Sequence, residues 1–144
     1  MLAGLLALII AALFAGAALY VNIVEQPARL ALQNQALLAE WKPSYQRGFA
    51  MQAPLTVVGC LLGLVAWWQT REWAFLIGAV ALIANVPWTL IGIIPTNHAL
   101  MRTEIAAADA ETRELLVTWG KLHAVRTALG FAATIVFLWA CVSI

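Results

Sequence analysis

Four long apolar stretches divide the chain, and polar residues gather in the segments between them. The stretches cover residues 2–24, 54–69, 73–94 and 122–144. Each approaches the ~20 apolar residues that a helix needs to cross the hydrocarbon core of a bilayer. The pattern predicts an all-α fold, a four-helix transmembrane bundle in which residues 1–144 form a single domain.

The first polar connection is predicted to contain a further helix. Leucines and Trp41 recur among polar residues between positions 30 and 41, a spacing typical of an amphipathic helix at the membrane interface. We expect Pro27 to bend or stop helix 1, and Pro43 and Gly48 to separate this interfacial helix from helix 2.

The third connection is predicted to be ordered as well. Thr96 follows Pro95 as a candidate N-cap, and the stretch from Asn97 to Lys121 is rich in helix formers and contains no proline. Helix 4 is therefore expected to be extended and partly extramembrane, beginning near Asp109 or Thr112.

Composition and charge agree with a membrane location. The chain is 64% hydrophobic and 10% charged, with a net charge of +1, so it has too little polar surface for a soluble monomer and no basic footprint for nucleic acid. Seven of the eight lysines and arginines lie in or beside the first and third connections, and only Arg71 lies in the second. The positive-inside rule then predicts that connections 1–2 and 3–4 are cytoplasmic and that both termini face outward. We expect an integral protein of a bacterial inner membrane.

Small residues suggest packing, and the cysteines suggest no metal. Gly59 and Gly63 form a G-x-x-x-G in helix 2, which favours close helix contacts within the bundle first and a homodimer seam second. Neither Cys60 nor Cys141 belongs to a C-x-x-C. No metal site is predicted.

The polar residues inside the apolar stretches are the candidates for function. Trp119, His123 and Arg126 are spaced i, i+4 and i+7, on one face where helix 4 enters the bilayer. A lone guanidinium at the depth of Arg126 costs about 2.5–3.5 kcal/mol unless it is paired, wetted or able to snorkel to the headgroups. Asn85 lies too deep to snorkel, so it either bonds another helix or lines a polar pocket. Pro87 frees a carbonyl beside it.

In an up-down-up-down bundle, three polar groups fall in the same leaflet, and this convergence predicts one pocket. His123 would exchange a proton near neutral pH, and Arg126 would be a fixed cation for an oxyanion. The groups are Tyr20, Asn22 and Glu25 in helix 1, Asn85, Trp88, Thr89 and Asn97 in helix 3, and Trp119, His123 and Arg126 in helix 4.

These residues resemble a known family. The pattern Tyr20-x-Asn22…Pro27, Trp41, Asn85-x-Pro87-Trp88…Pro95-x-Asn97 and Trp119-x-x-x-His123-x-x-Arg126 is similar to the small four-helix membrane family that includes the anthrone oxygenases of aromatic polyketide pathways. The resemblance covers nearly the whole chain through sparse single residues.

The resemblance implies an oxygenase without a cofactor that acts on a lipophilic phenolic or anthrone-like substrate with O2. His123 would be the catalytic base, and Arg126 would hold the resulting anion together with Asn85 and Asn97. Trp88 and Trp119 would supply flat walls, and Tyr20 and Asn22 complete the predicted substrate-binding set.

Other classes of function stay open at this point. A non-catalytic accessory subunit of a larger membrane complex would explain the short chain, and its polar residues would then bond a partner or a second copy. Haem or quinone binding is a further alternative, although a bis-histidine site from His98 and His123 would need the third connection to fold back. Transport is disfavoured because four helices without an internal repeat offer no inverted-repeat site. The expected partners are the bilayer, a lipophilic small molecule and either a second copy of the chain or a larger membrane complex, and no nucleic acid.

Overall fold

Four long helices make up most of the computed structural model, which describes residues 1–143. They are α1 (Leu2–Leu30), α2 (Asn34–Thr70), α3 (Trp73–Arg102) and α4 (Ala110–Val142), and each is long and apolar enough to cross a membrane. A 3-10 turn at Ile105–Ala107 lies between α3 and α4. Consecutive helices pack together and α1 also packs against α4, which closes a ring of four. The predicted all-α four-helix bundle is confirmed.

One half of the bundle has an apolar core built from small residues and phenylalanines. Phe14, Phe75 and Phe137 are fully buried there among alanines. A Cβ on Gly59 would clash with Cδ2 of Leu82, and one on Gly63 would lie 2.8 Å from Cζ of Phe137. The G-x-x-x-G therefore packs inside this bundle, which was the first of the two interpretations of this motif. Because both glycines are buried, the reading of this pair as a homodimer seam is wrong.

The other half has a second core, and the predicted interfacial helix is part of it. Of the predicted interfacial helix, residues 34–41 are helical, but they continue without a break into the second span as one helix of 37 residues, about 55 Å long. The breaks expected at Pro43 and Gly48 are absent. Packing on both sides of Pro43 holds the helix together, since Trp41 is fully buried and its ring stacks on Tyr45 at 4.9 Å.

Two prolines follow a widened helical turn instead of ending a helix. π-helical turns at Val21–Glu25 and Thr89–Ile93 each end two residues before a proline, Pro27 and Pro95 respectively. A wider turn accommodates the pyrrolidine ring and the missing N–H. Helix α1 thus runs through Pro27 to Leu30, and α3 runs to Arg102. The N-cap expected at Thr96 is wrong because that residue lies inside a continuing helix.

The start of α4 lies where the sequence predicts it. Asp109 is the N-cap, and its Oδ1 accepts a hydrogen bond from the backbone N–H of Thr112 at 3.0 Å. The Thr112 hydroxyl interacts with the Asp109 backbone N–H in return, which completes a capping box. The backbone hydrogen bond from Thr112 lowers the pKa of the Asp109 carboxyl below its ordinary value.

Candidate functional site

A cavity of ≈ 580 Å³ opens among the four helices on the side of the second core. It brings together seven of the ten residues that the sequence groups into one pocket, and all seven line its wall: Tyr20, Glu25, Thr89, Asn97, Trp119, His123 and Arg126. Both π-helical turns contribute to the same wall, through Val21 and Glu25 on one side and Thr89 and Ile93 on the other. The predicted convergence of α1, α3 and α4 therefore produces a real cavity, to which α2 also contributes.

His123 is held in one tautomer by Asn22. Its Nδ1 lies 2.8 Å from Oδ1 of Asn22, while Nδ2 of Asn22 donates to the carbonyl of Gly120 at 2.9 Å. The hydroxyl of Thr127 donates to the same Oδ1 at 2.7 Å. Because these bonds fix the amide with its oxygen towards the imidazole, Nδ1 must carry the hydrogen and donate it. The lone pair is then on Nε2, which has no hydrogen-bond partner among residues 1–143.

Arg126 is a buried cation without a carboxylate. The residue is 7% exposed, its Nη1 donates to the Thr89 hydroxyl at 2.8 Å and its Nη2 to Oε1 of Gln52 at 3.0 Å. Within residues 1–143 no acidic group lies within salt-bridge distance of it, and both acceptors are neutral. Burial in the bundle argues against simple snorkelling. An unneutralised buried charge favours an anionic ligand.

Aromatic rings form one wall of the cavity. The indole of Trp119 lies 5.0 Å from the His123 ring and 5.9 Å from Trp41, edge to face. Its Nε1 donates to Oδ1 of Asn97 at 2.8 Å, so Asn97 orients the indole as well as lining the cavity. Tyr45 extends the wall by stacking on Trp41. Such flat apolar surfaces suit a planar aromatic ligand.

Three predicted residues lie outside this wall. Asn22 stands behind His123, as described. The Nε1 of Trp88 donates to the Leu122 carbonyl at 3.0 Å, which ties α3 to α4. Asn85 donates from Nδ2 to the carbonyl of Leu82 at 2.9 Å and lines a smaller neighbouring cavity. Asn85 lies one helical turn before Thr89 in α3 and does not line the larger cavity.

A buried charged cluster escaped the sequence analysis. Arg29 is buried and binds both Glu25 and Glu40, and its Cζ lies 5.7 Å from the Trp119 ring. Glu25 and Glu40 line the cavity. The i, i+4 spacing of Glu25 and Arg29 could have signalled the pair. Nothing in the sequence places Glu40 beside them, because that contact requires the turn at residues 31–33. Gln52, which accepts a hydrogen bond from Arg126, was also not among the residues predicted from the sequence.

The two histidines of the chain lie apart from each other. His98 is exposed and does not line the cavity that His123 lines, so the bis-histidine site considered for haem is not formed. Among residues 1–143 there is no group of three or more His, Cys, Asp or Glu side chains placed to hold a metal ion.

Comparison with known proteins gives the family. The sequence model described as anthrone oxygenase matches residues 41–136, the part of the chain that runs from Trp41 past Arg126. The chain belongs to the anthrone oxygenase family. It is 35% identical to anthrone oxygenase tpcL of Aspergillus fumigatus, over 84% of this chain and 81% of the relative. It is 29% identical to anthrone oxygenase gedH of Aspergillus terreus, over 84% of this chain and 87% of the relative.

A third family member, anthrone oxygenase ptaC of Pestalotiopsis fici, is 28% identical over 71% of this chain and 82% of its own length. No solved structure matches the chain. These anthrone oxygenases come from fungi, so they lend no support to the predicted bacterial inner membrane. The orientation of the connections stays a prediction.

Proposed function

We propose that the protein is an integral membrane oxygenase that oxidises a lipophilic anthrone-like phenol with O2 and needs no cofactor. The observation that carries this proposal is the pairing of an imidazole base, His123, with an unneutralised guanidinium, Arg126, in the wall of one cavity. The family membership supports an anthrone-like substrate. A base removes a proton, and a fixed cation stabilises the anion that remains.

The chemistry follows from the acidity of an anthrone. Its methylene C–H bonds lie between two aromatic rings and opposite a carbonyl, so loss of one proton gives a delocalised phenolate-like anion. Nε2 of His123 takes that proton, and Arg126 stabilises the negative charge. The anion transfers one electron to O2, and the two radicals combine to a peroxide. Loss of one water from the peroxide gives a new carbonyl, so that CH2 and O2 become C=O and H2O.

The membrane supplies the route for a lipophilic substrate. Tyr20, Phe49 and Met51 line the cavity and are also exposed on the surface of the bundle. In a bilayer this mouth would face lipid, because the surrounding helices are apolar. An anthrone dissolved in the membrane could then enter sideways and lie against Trp119.

The test is oxygen uptake by purified, chelator-treated protein in detergent with an anthrone as substrate. We expect one O2 consumed for each quinone formed, with no effect of the chelator. The matched control is an anthrone with both methylene hydrogens replaced by methyl groups, which offers no proton to His123 and should give no uptake.

Two outcomes would contradict the proposal. Activity that disappears with the chelator and returns with iron or haem would remove the cofactor-free mechanism. No activity on any lipophilic phenol, together with a stoichiometric membrane partner, would favour the accessory subunit instead.

A further inference from the structure

A second cavity of ≈ 240 Å³ lies beside the larger one, between α2 and α3. Thr89, Arg126 and Phe49 line both cavities. The guanidinium that faces the larger cavity is therefore also part of the wall of the smaller one. The remaining lining is mostly apolar: Ala53, Val57, Val86, Leu90 and Ile94, with Thr56 and Asn85.

Two residues that line this cavity each hold a buried polar atom with no hydrogen-bond partner within residues 1–143. These atoms are Oδ1 of Asn85, in a residue that is 1% exposed, and Nε of Arg126. Buried polar atoms are nearly always paired, so two unpaired ones on a shared cavity require an explanation. Arg126 also places a full positive charge at a wall that is otherwise mostly apolar.

This combination fits a ligand that enters without charge and becomes an anion inside. An ion would not cross the apolar rim, because desolvation of a charge is expensive. A permanently apolar molecule would leave the cation unused. Dioxygen enters as an apolar molecule and becomes superoxide when it accepts one electron.

We propose that the smaller cavity is the dioxygen site of the reaction, an inference that rests on the function proposed above. The substrate anion in the larger cavity gives one electron to O2 in the smaller one, which leaves a substrate radical and superoxide. The positive charge of Arg126 stabilises the superoxide. The two radicals combine into a peroxide anion, which takes back the proton held by His123 and then loses water.

The exposed rim of the cavity explains how O2 arrives. Val57, Val86 and Leu90 line the cavity and are exposed on the outside of the bundle. In a bilayer they would face hydrocarbon, in which dioxygen is more soluble than in water. Substrate and O2 would then enter through different openings, and a bound substrate would not block the oxidant.

A matched pair of adjacent valines tests the site. Val57 lines the cavity and Val58 lines neither cavity, although the two are 46% and 43% exposed on the same helix. We expect Val57→Phe to lower kcat/KM for O2 by about tenfold, the factor that corresponds to ~1.4 kcal/mol of lost binding. The KM for the anthrone should not change, and Val58→Phe should behave like the wild type in both respects.

The outcomes separate this inference from the proposed function. An active wild type with the same kcat/KM for O2 in Val57→Phe overturns the dioxygen site alone, as does an equal loss in Val58→Phe. A wild type that consumes no O2 with an anthrone overturns both. If Val57→Phe does not fold, Ala53→Leu fills the same cavity, with the exposed Ala50→Leu as its control, and the same criteria apply.

Discussion

The amide oxygen of Asn22 lies 2.8 Å from Nδ1 of His123, although the two residues are 101 positions apart in the chain. The π-helical turn Val21–Glu25 contains Asn22, and the amide also bonds the backbone of α4 at Gly120. An imidazole base needs its second nitrogen held by a hydrogen-bond acceptor, so that the lone pair faces the substrate. In the proposed mechanism Asn22 is therefore a positioning residue for His123. It does not line the cavity, where the family resemblance implied a substrate contact.

Asn22→Leu should lower kcat by about tenfold or more, since the base loses its fixed tautomer but remains in place, whereas full loss of a base costs about 10²–10⁴. The KM for the anthrone should change little. Nitrogen NMR of histidine-labelled protein provides the decisive readout: the wild type should show hydrogen on Nδ1 of His123, and the variant should show both tautomers. Thr134→Val removes a hydroxyl on the same helix that bonds only the carbonyl of Gly130, and it is the control. A wild type protonated on Nε2 would contradict this role for Asn22.

Arg126→Lys should also impair turnover, because a point-charge ammonium cannot reproduce the planar fork that binds Thr89 and Gln52. We expect kcat/KM for the anthrone to fall by about 10²-fold, the typical loss when one group that stabilises an oxyanion is removed. Arg102→Lys, on an exposed residue, is the matched control and should keep full activity. Equal activity of both variants, measured by oxygen uptake, would show that Arg126 is only structural.

The sequence allows prediction of those features that depend on one helix at a time. The i, i+4, i+7 spacing of Trp119, His123 and Arg126 and their depth along helix 4 are local properties, and all three side chains line the cavity. The Asn22 to His123 contact depends on how α1 and α4 are rotated against each other, which no local pattern encodes. The ion pair between Arg29 and Glu40 is not encoded locally either, because only the turn between α1 and α2 brings Glu40 close to Arg29.

Proline was the least informative local signal. Pro43 lies inside a continuous α2, and Pro27 and Pro95 follow π-helical turns. The widened turns accommodate Pro27 and Pro95, and packing on both sides of Pro43 holds α2 together. In this fold the preference of a proline to end a helix is therefore overridden.

The capping box at the start of α4 gives a pH-dependent contribution to stability. The pKa of Asp109 is lowered by its hydrogen bond from Thr112, so the stabilisation is present above the ordinary pKa of an aspartate, near 4, and is lost as the pH falls through the lower folded value. Asp109→Ala should lower Tm by a few degrees at pH 7. Asp109→Asn keeps the cap without the charge. The Tm difference between aspartate and asparagine should vanish at low pH, and a difference independent of pH would contradict this assignment.

The predicted orientation has a direct test. A cysteine added after residue 144, in a protein whose two native cysteines are replaced by alanine, should react with an impermeant thiol reagent in intact cells, because the positive-inside rule places both termini outside. A cysteine at Ala106, in the third connection, is the control and should react only after lysis. The reverse pattern would invert the topology and leave the bundle unchanged.

The measurement that tests the central claim most directly is oxygen uptake with an anthrone by the wild type, His123→Ala and His98→Ala, each purified and stripped of metals. The two histidines are the only ones in the chain, and only His123 lines the cavity. We expect His123→Ala to remain folded and its rate to fall by a factor of about 10²–10⁴, the typical effect of removing a general base. His98→Ala should keep the wild-type rate. Unchanged turnover in His123→Ala would contradict the assignment of His123 as the base and with it the mechanism proposed here.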